Sequence, residues 1–174
     1  RVYLAGAGTQ TAALAFGGTA PPIKNETESY NGTNWTEVNN LNTARFALAG
    51  AGTQTAALAF GGRPSPSPVG AETENWNGTN WTEVNDLNTA RSTLAGAGTN
   101  TAALAFGGTT NSTEIWNGTN WTANPSSLNT SRNYLAGAGI STAALAFGGT
   151  SSSATTESWN GTSWTEVNDL NTGR

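Results

Sequence analysis

Thr55-Ala56-Ala57-Leu58-Ala59-Phe60-Gly61-Gly62 alternates with a period of two. Ala56, Leu58 and Phe60 fall on one side of an extended chain and Ala57 and Ala59 on the other, which is the signature of a strand. Helix is the competing reading, because Ala and Leu lead the helix propensity scale. The run is too short for it, closes on a glycine pair and lacks apolar residues at i, i+3, i+4 and i+7. Both faces of this strand are apolar, one bulky and one smooth. Copies of one sheet rotated about a shared axis satisfy such a strand, the large face of each copy meeting the small face of the next.

The same run recurs at 11–18, 101–108 and 142–149, each time behind an Arg-x-x-Leu-Ala-Gly-Ala-Gly phrase. Arg1, Arg45, Arg91 and Arg132 open these phrases and Arg174 begins another, at steps of 44, 46, 41 and 42 residues. Every unit ends in Thr-Glu-x-(Tyr/Trp)-Asn-Gly-Thr-(Asn/Ser)-Trp-Thr, where Asn-Gly between two strand-like runs signals a hairpin. Each unit therefore reads as four short antiparallel strands, and repetition at this period marks propeller blades. The expected fold is all-β: one domain, residues 1–174, forming a propeller of four four-stranded blades at 1–44, 45–90, 91–131 and 132–174. Two alternatives stay open, half of an eight-bladed ring completed by a second copy and an excerpt of a longer array. Arg174 repeats the place of Arg1, so a closed four-bladed ring holds one of them in surplus.

The Gly-Gly doublets (Gly17-Gly18, Gly61-Gly62, Gly107-Gly108, Gly148-Gly149) are followed by an aromatic, Tyr30, Trp76, Trp116 or Trp159. Five residues later comes Trp35, Trp81, Trp121 or Trp164. This pattern resembles the kelch motif over the whole chain, with a shorter turn between the two aromatics than is usual. The Asn-Gly-Thr-Asn-Trp-Thr-Glu-Val wording is also similar to kelch-like arrays in structural proteins of tailed, particularly marine, bacteriophages. The resemblance implies that the Ala/Gly strand lines the axis and the Trp strand lies outermost.

Composition narrows the function. The 174 residues carry seven Lys and Arg against eleven Asp and Glu, a net charge of −4, with Lys24 the single lysine. A phosphate backbone would find little counter-charge, so nucleic acid is not expected as a partner. Cysteine, histidine and methionine are absent, which removes disulfides, thiolate or imidazole metal ligands and an imidazole base. No metal and no cofactor is expected. No apolar run reaches the roughly 18–20 residues of a membrane span. The chain opens in mid-phrase on Arg1 without a methionine or a signal-like stretch, which reads as an excerpt, a processed piece or an engineered one.

One arginine and one glutamate recur per unit: Arg1, Arg45, Arg91 and Arg132, and Glu28, Glu74, Glu114 and Glu157. A carboxylate ring for acid/base work is one reading. Repeated Arg–Glu pairs that brace the blades are the better one, since symmetric copies give like environments and paired catalytic carboxylates need unlike ones. Glu26, Glu72, Asp86 and Asp169 form no convincing catalytic set, and the chain is not expected to be an enzyme. The tryptophans read as filling between blades, with sugar-stacking platforms as the alternative.

Length variation concentrates between Gly-Gly and the strand-3 Glu, where the second glycine precedes that Glu by 10, 12, 6 and 8 residues. The pair after each arginine varies as well: Val2-Tyr3, Phe46-Ala47, Ser92-Thr93 and Asn133-Tyr134. In an up-and-down blade both places lie on one face of the disc, and loops on a rigid scaffold are where binding residues gather. Tyr3, Lys24, Phe46, Arg63 and Tyr134 are the candidate ligand-binding residues. The expected function is a non-enzymatic binding or structural module of a virion or extracellular appendage, contacting a glycan or protein receptor. A purely architectural unit, and a homo-oligomer formed by ring completion, are the alternatives.

Overall fold

A computed structural model describes residues 1–66, 68–150 and 153–174. The chain is all-β with almost no helix: four small antiparallel four-stranded sheets are arranged as a four-bladed β-propeller. Blade 1 comprises β1 (Ala5–Thr9), β2 (Ala12–Phe16), β3 (Thr27–Tyr30) and β4 (Trp35–Val38). The two-residue β5 (Arg45–Phe46) and β8 (Arg63–Pro64) pair beside blade 2, which comprises β6 (Ala49–Thr53), β7 (Ala56–Phe60), β9 (Thr73–Trp76) and β10 (Trp81–Val84). Blade 3 holds β11 (Ala95–Gly98), β12 (Ala103–Phe106), β13 (Thr113–Trp116) and β14 (Trp121–Asn124). Blade 4 holds β15 (Ala136–Ile140), β16 (Ala143–Phe147), β17 (Thr156–Trp159) and β18 (Trp164–Val167). Within each sheet the strands lie in chain order, from the Ala/Gly strand at the hub to the Trp strand at the rim.

The alternation of the Ala/Leu strands becomes blade-on-blade packing. Leu14, Phe16 and Leu41 of blade 1 form one buried cluster with Ala57, Ala59, Trp76 and Trp81 of blade 2. Leu58, Phe60 and Leu87 meet Ala103, Ala105, Trp116 and Trp121 in the same way, and Leu104, Phe106 and Leu128 meet Ala144, Ala146, Trp159 and Trp164. At each of these interfaces a phenylalanine ring sits 4.9 Å from the rim tryptophan of the next blade: Phe16 on Trp81, Phe60 on Trp121, Phe106 on Trp164. The indole N–H donates across the interface to a buried threonine hydroxyl, Trp81 to Thr27 (3.0 Å), Trp121 to Thr73 (3.0 Å) and Trp164 to Thr113 (2.8 Å). A large apolar body with one satisfied polar tip suits such a site.

Crowding at the hub explains the glycines of the first strand. A Cβ built on Gly96 would lie 2.5 Å from Phe60 Cζ and 2.9 Å from the Gly50 carbonyl oxygen, so only hydrogen fits. At the rim the Asn-Gly motif makes a hairpin, but not through a two-residue primed turn. Tyr30 and Trp35 close a four-residue loop in which Gly32 alone has positive φ (94°) and Asn31 Oδ1 accepts from the N–H groups of Thr33 and Asn34. Asparagine serves as an internal cap.

The packing does not run all the way round. Among the described residues, no buried cluster or hydrogen bond joins blade 4 to blade 1. Trp35 is 50% exposed where Trp81 is 5%, and Leu145 is 41% exposed where Leu58 is 0%.

Gly96→Ala should cost about 1–3 kcal/mol of stability, the usual range for overpacking, read as a lower urea midpoint with an unchanged slope. An unchanged midpoint would contradict this hub geometry.

Candidate functional site

The hub carries its own hydrogen-bonded thread. Ala47 N–H donates to the Tyr3 carbonyl (2.8 Å), Thr93 N–H to Ala47 (2.8 Å) and Tyr134 N–H to Thr93 (2.9 Å). All four residues hold left-handed backbone, with φ of 56°, 55°, 58° and 56° in chain order. Glycine would adopt it without penalty, whereas an L side chain pays roughly 1–2 kcal/mol. Side chains are nevertheless present at each step of the thread.

Those side chains build one mouth of the hub. Tyr3 lies with its ring centroid 6.3 Å from Phe46 and 5.9 Å from Tyr134. Tyr3 and Tyr134 are exposed and Phe46 is half-buried. The hollow beneath them, lined by Leu4, Ala47, Leu48, Thr93, Leu94 and Leu135, has a volume of about 170 Å³. Drug-sized sites run to about 300–1,000 Å³, so this mouth can seat one ring or one side chain rather than engulf a ligand. Bonds between the variable segments hold it in place: Val2 pairs with Thr19, Phe46 with Arg63, Thr109 N–H donates to Ser92 O (3.2 Å) and Thr150 N–H to Asn133 O (2.9 Å). Arg63 also donates from Nε to the Ser92 hydroxyl at 3.1 Å. Tyr3, Phe46, Tyr134 and Arg63 thus share one end of the propeller. The loops of blades 2 and 4 also run through residues 67 and 151–152, which lie outside the described residues.

Lys24 stands apart from this group. Its ammonium pairs with Glu26 at 3.1 Å, in a polar cleft with Arg1, Glu28 and Glu37 on the free flank of blade 1. The Glu26 carboxyl is pushed up by desolvation, but its own backbone N–H, the Lys24 ammonium and Arg1 together hold it below the usual carboxylate range.

The repeated arginines and glutamates meet inside the blades. Arg45 Nη2 lies 3.2 Å from Glu74 Oε1, Arg91 3.1 Å from Glu114 and Arg132 2.8 Å from Glu157, and Arg1 contacts Glu28. The first three pairs are buried. Burial pulls the guanidinium pKa of Arg45 and Arg91 down, and Glu74 and Glu114 respectively are the main charges acting against that. Each of the three buried carboxylates is also clasped by the preceding blade. Asn42 donates to Glu74 Oε2 from its backbone (2.7 Å) and its side chain (2.9 Å), and Thr43 N–H reaches Oε1 at 3.3 Å. Asn88 and Asn129 repeat the clasp on Glu114 and Glu157. A carboxylate offers about four lone-pair positions, and here all four are taken. Nothing remains for a metal ion or a substrate proton. No group of acidic residues able to hold a metal occurs among the described residues, and no helix is long and apolar enough to cross a membrane.

These bracing asparagines were not singled out in the sequence. The signal was available: Leu-Asn-Thr stands in every connector, at 41–43, 87–89, 128–130 and 170–172. No protein-family model matches the chain, and neither does any curated protein.

Glu114→Ala should cost about 3–5 kcal/mol, because it leaves Arg91 buried and unpaired. Glu83→Ala, on the exposed rim strand, should fall within about 0.5 kcal/mol of the parent. Equal costs in chemical denaturation would contradict the bracing role.

Proposed function

We propose that the chain is a non-enzymatic binding module that uses the hub mouth formed by Tyr3, Phe46 and Tyr134 to contact a glycan. One observation carries the reading: exposed aromatic side chains sit on left-handed backbone, where glycine would be cheaper. Residues held in a costly backbone conformation cluster at functional sites. Aromatic faces suit the C–H faces of a sugar ring, and the Arg63 guanidinium and the Asn133 amide supply nearby donors. The small hollow fits a terminal sugar, with further residues of the glycan lying across the variable loops. A protein receptor presenting one apolar side chain is the neighbouring possibility on the same surface.

The sequence likeness to kelch-type arrays of tailed phages supports a virion or extracellular appendage as the setting. The saturated state of Glu74, Glu114 and Glu157 supports the absence of catalysis at those positions.

A glycan array followed by titration calorimetry tests this. Tyr134→Ala and Tyr3→Ala should each weaken the best glycan at least about tenfold, the order expected when a stacked ring is lost from a small site. Val167→Ala at the rim should not change it. An array without hits, or aromatic variants that bind like the parent, would sink the reading.

A further inference from the structure

We infer that the free flank of blade 4 is a docking surface for blade 1 of a second copy of this chain, and that two copies close into one eight-bladed ring. This inference is independent of the glycan reading. It rests on matching the two unpartnered flanks, position by position, against the three interfaces that the chain already makes within itself.

Blade 1 presents everything that blades 2, 3 and 4 insert into their predecessors. Trp35 stands exposed where Trp81, Trp121 and Trp164 are buried. Leu4 is 40% exposed, whereas Leu48, Leu94 and Leu135 are 6%, 6% and 7% exposed. Leu48 packs beside Gly17, Leu94 beside Gly61 and Leu135 beside Gly107. The Glu28 side chain is 42% exposed, while those of Glu74, Glu114 and Glu157 are 0%, 1% and 0%. Glu28 has Arg1 but no asparagine clasp among the described residues.

Blade 4 presents the complementary set. Leu145 is exposed and Phe147 half-buried, where the Leu-Phe pairs of the other blades are covered. The Thr156 hydroxyl occupies the position of Thr27, Thr73 and Thr113, each of which accepts an indole N–H from the following blade; Thr156 takes none among the described residues. Asn171 stands at the place of Asn42, Asn88 and Asn129, each of which donates to the glutamate of the following blade; Asn171 makes no such bond among the described residues. A cleft lined by Ala136, Phe147, Gly148 and Leu170 lies open where the next blade's leucine belongs.

Docking would therefore send Trp35 onto Phe147 and Thr156, Leu4 into the cleft by Gly148, and Asn171 onto Glu28. The Arg174 carbonyl now accepts from Gly149 N–H at 2.9 Å, as the carbonyls of Arg45, Arg91 and Arg132 accept from Gly18, Gly62 and Gly108. Arg174 thus occupies the place of a unit-opening arginine and gives way to Arg1 of the incoming copy. A head-to-tail contact of this kind forms a closed particle only if its rotation closes. Propellers run to about 4–8 blades; two copies reach the upper end and three exceed it.

Native mass spectrometry and light scattering over a concentration series test the inference. The wild-type chain should give twice the 17.8 kDa mass of one copy. Trp35→Glu and Leu145→Glu each alter an exposed side chain and should each reduce the particle to one copy, with the β-sheet circular dichroism unchanged. Mixing the two variants should restore two-chain particles joined through one intact interface, blade 4 of the Trp35→Glu copy on blade 1 of the Leu145→Glu copy, while both substitutions meet at the other. Four results would overturn the inference: a wild-type chain that stays single at hundreds of micromolar, a mass that neither substitution lowers, dissociation by only one of them, or particles that keep growing with concentration.

Discussion

Rough flank against smooth flank is the constraint on which the rest of this structure depends. A strand with Leu and Phe on one side and Ala on the other cannot be satisfied by one sheet alone. It needs a neighbour at each flank, and rotated copies provide both. Other features of the repeat follow from that geometry. Strands near the axis approach so closely that Gly96 admits no side chain. Strands at the rim diverge, and tryptophan fills the gap, with about 150–250 Å² of surface to bury per ring. In such arrays stability is close to a sum of unit and nearest-neighbour contributions, so each interface has to be good on its own.

Charge serves the same end in a different way. Only 10% of residues are charged, yet three Arg–Glu pairs are buried. Ion pairs of this kind rarely add net stability over apolar replacements, but removing one partner is expensive. Their value here is positional. Glu74 receives donors from its own blade through Arg45 and from the previous blade through Asn42 and Thr43, so one carboxylate fixes how two sheets slide against each other. Apolar contact alone would tolerate such sliding.

Much of the fold was legible because the period-2 signal is local and repeated four times. The strand assignment of Thr55–Gly62 and its smooth and rough faces follow from alternation, whereas the hub-to-rim order was an implication of the kelch resemblance. The hairpin at Asn31-Gly32 was legible but its turn type was not, since the asparagine side chain captures two backbone donors inside a four-residue loop. Nor was the asparagine clasp: Leu-Asn-Thr reads as ordinary connector sequence until the fold sets it against the next blade. Of the candidate binding residues, Tyr3, Phe46, Arg63 and Tyr134 converge because the segments bearing them pair along one end of the hub. Lys24 lies elsewhere because its loop folds back on Gly18, where its backbone N–H donates to the Gly18 carbonyl at 2.9 Å.

A double-mutant cycle on Phe60 and Trp121 tests the packing of successive blades most directly. The two rings belong to different blades and lie 4.9 Å apart. Phe60→Ala, Trp121→Ala and the double variant, measured by equilibrium unfolding, should yield a coupling energy of about 0.5–1.5 kcal/mol. Strict additivity of the two single costs would mean that the rings do not touch, and that blade-on-blade packing does not hold this chain together.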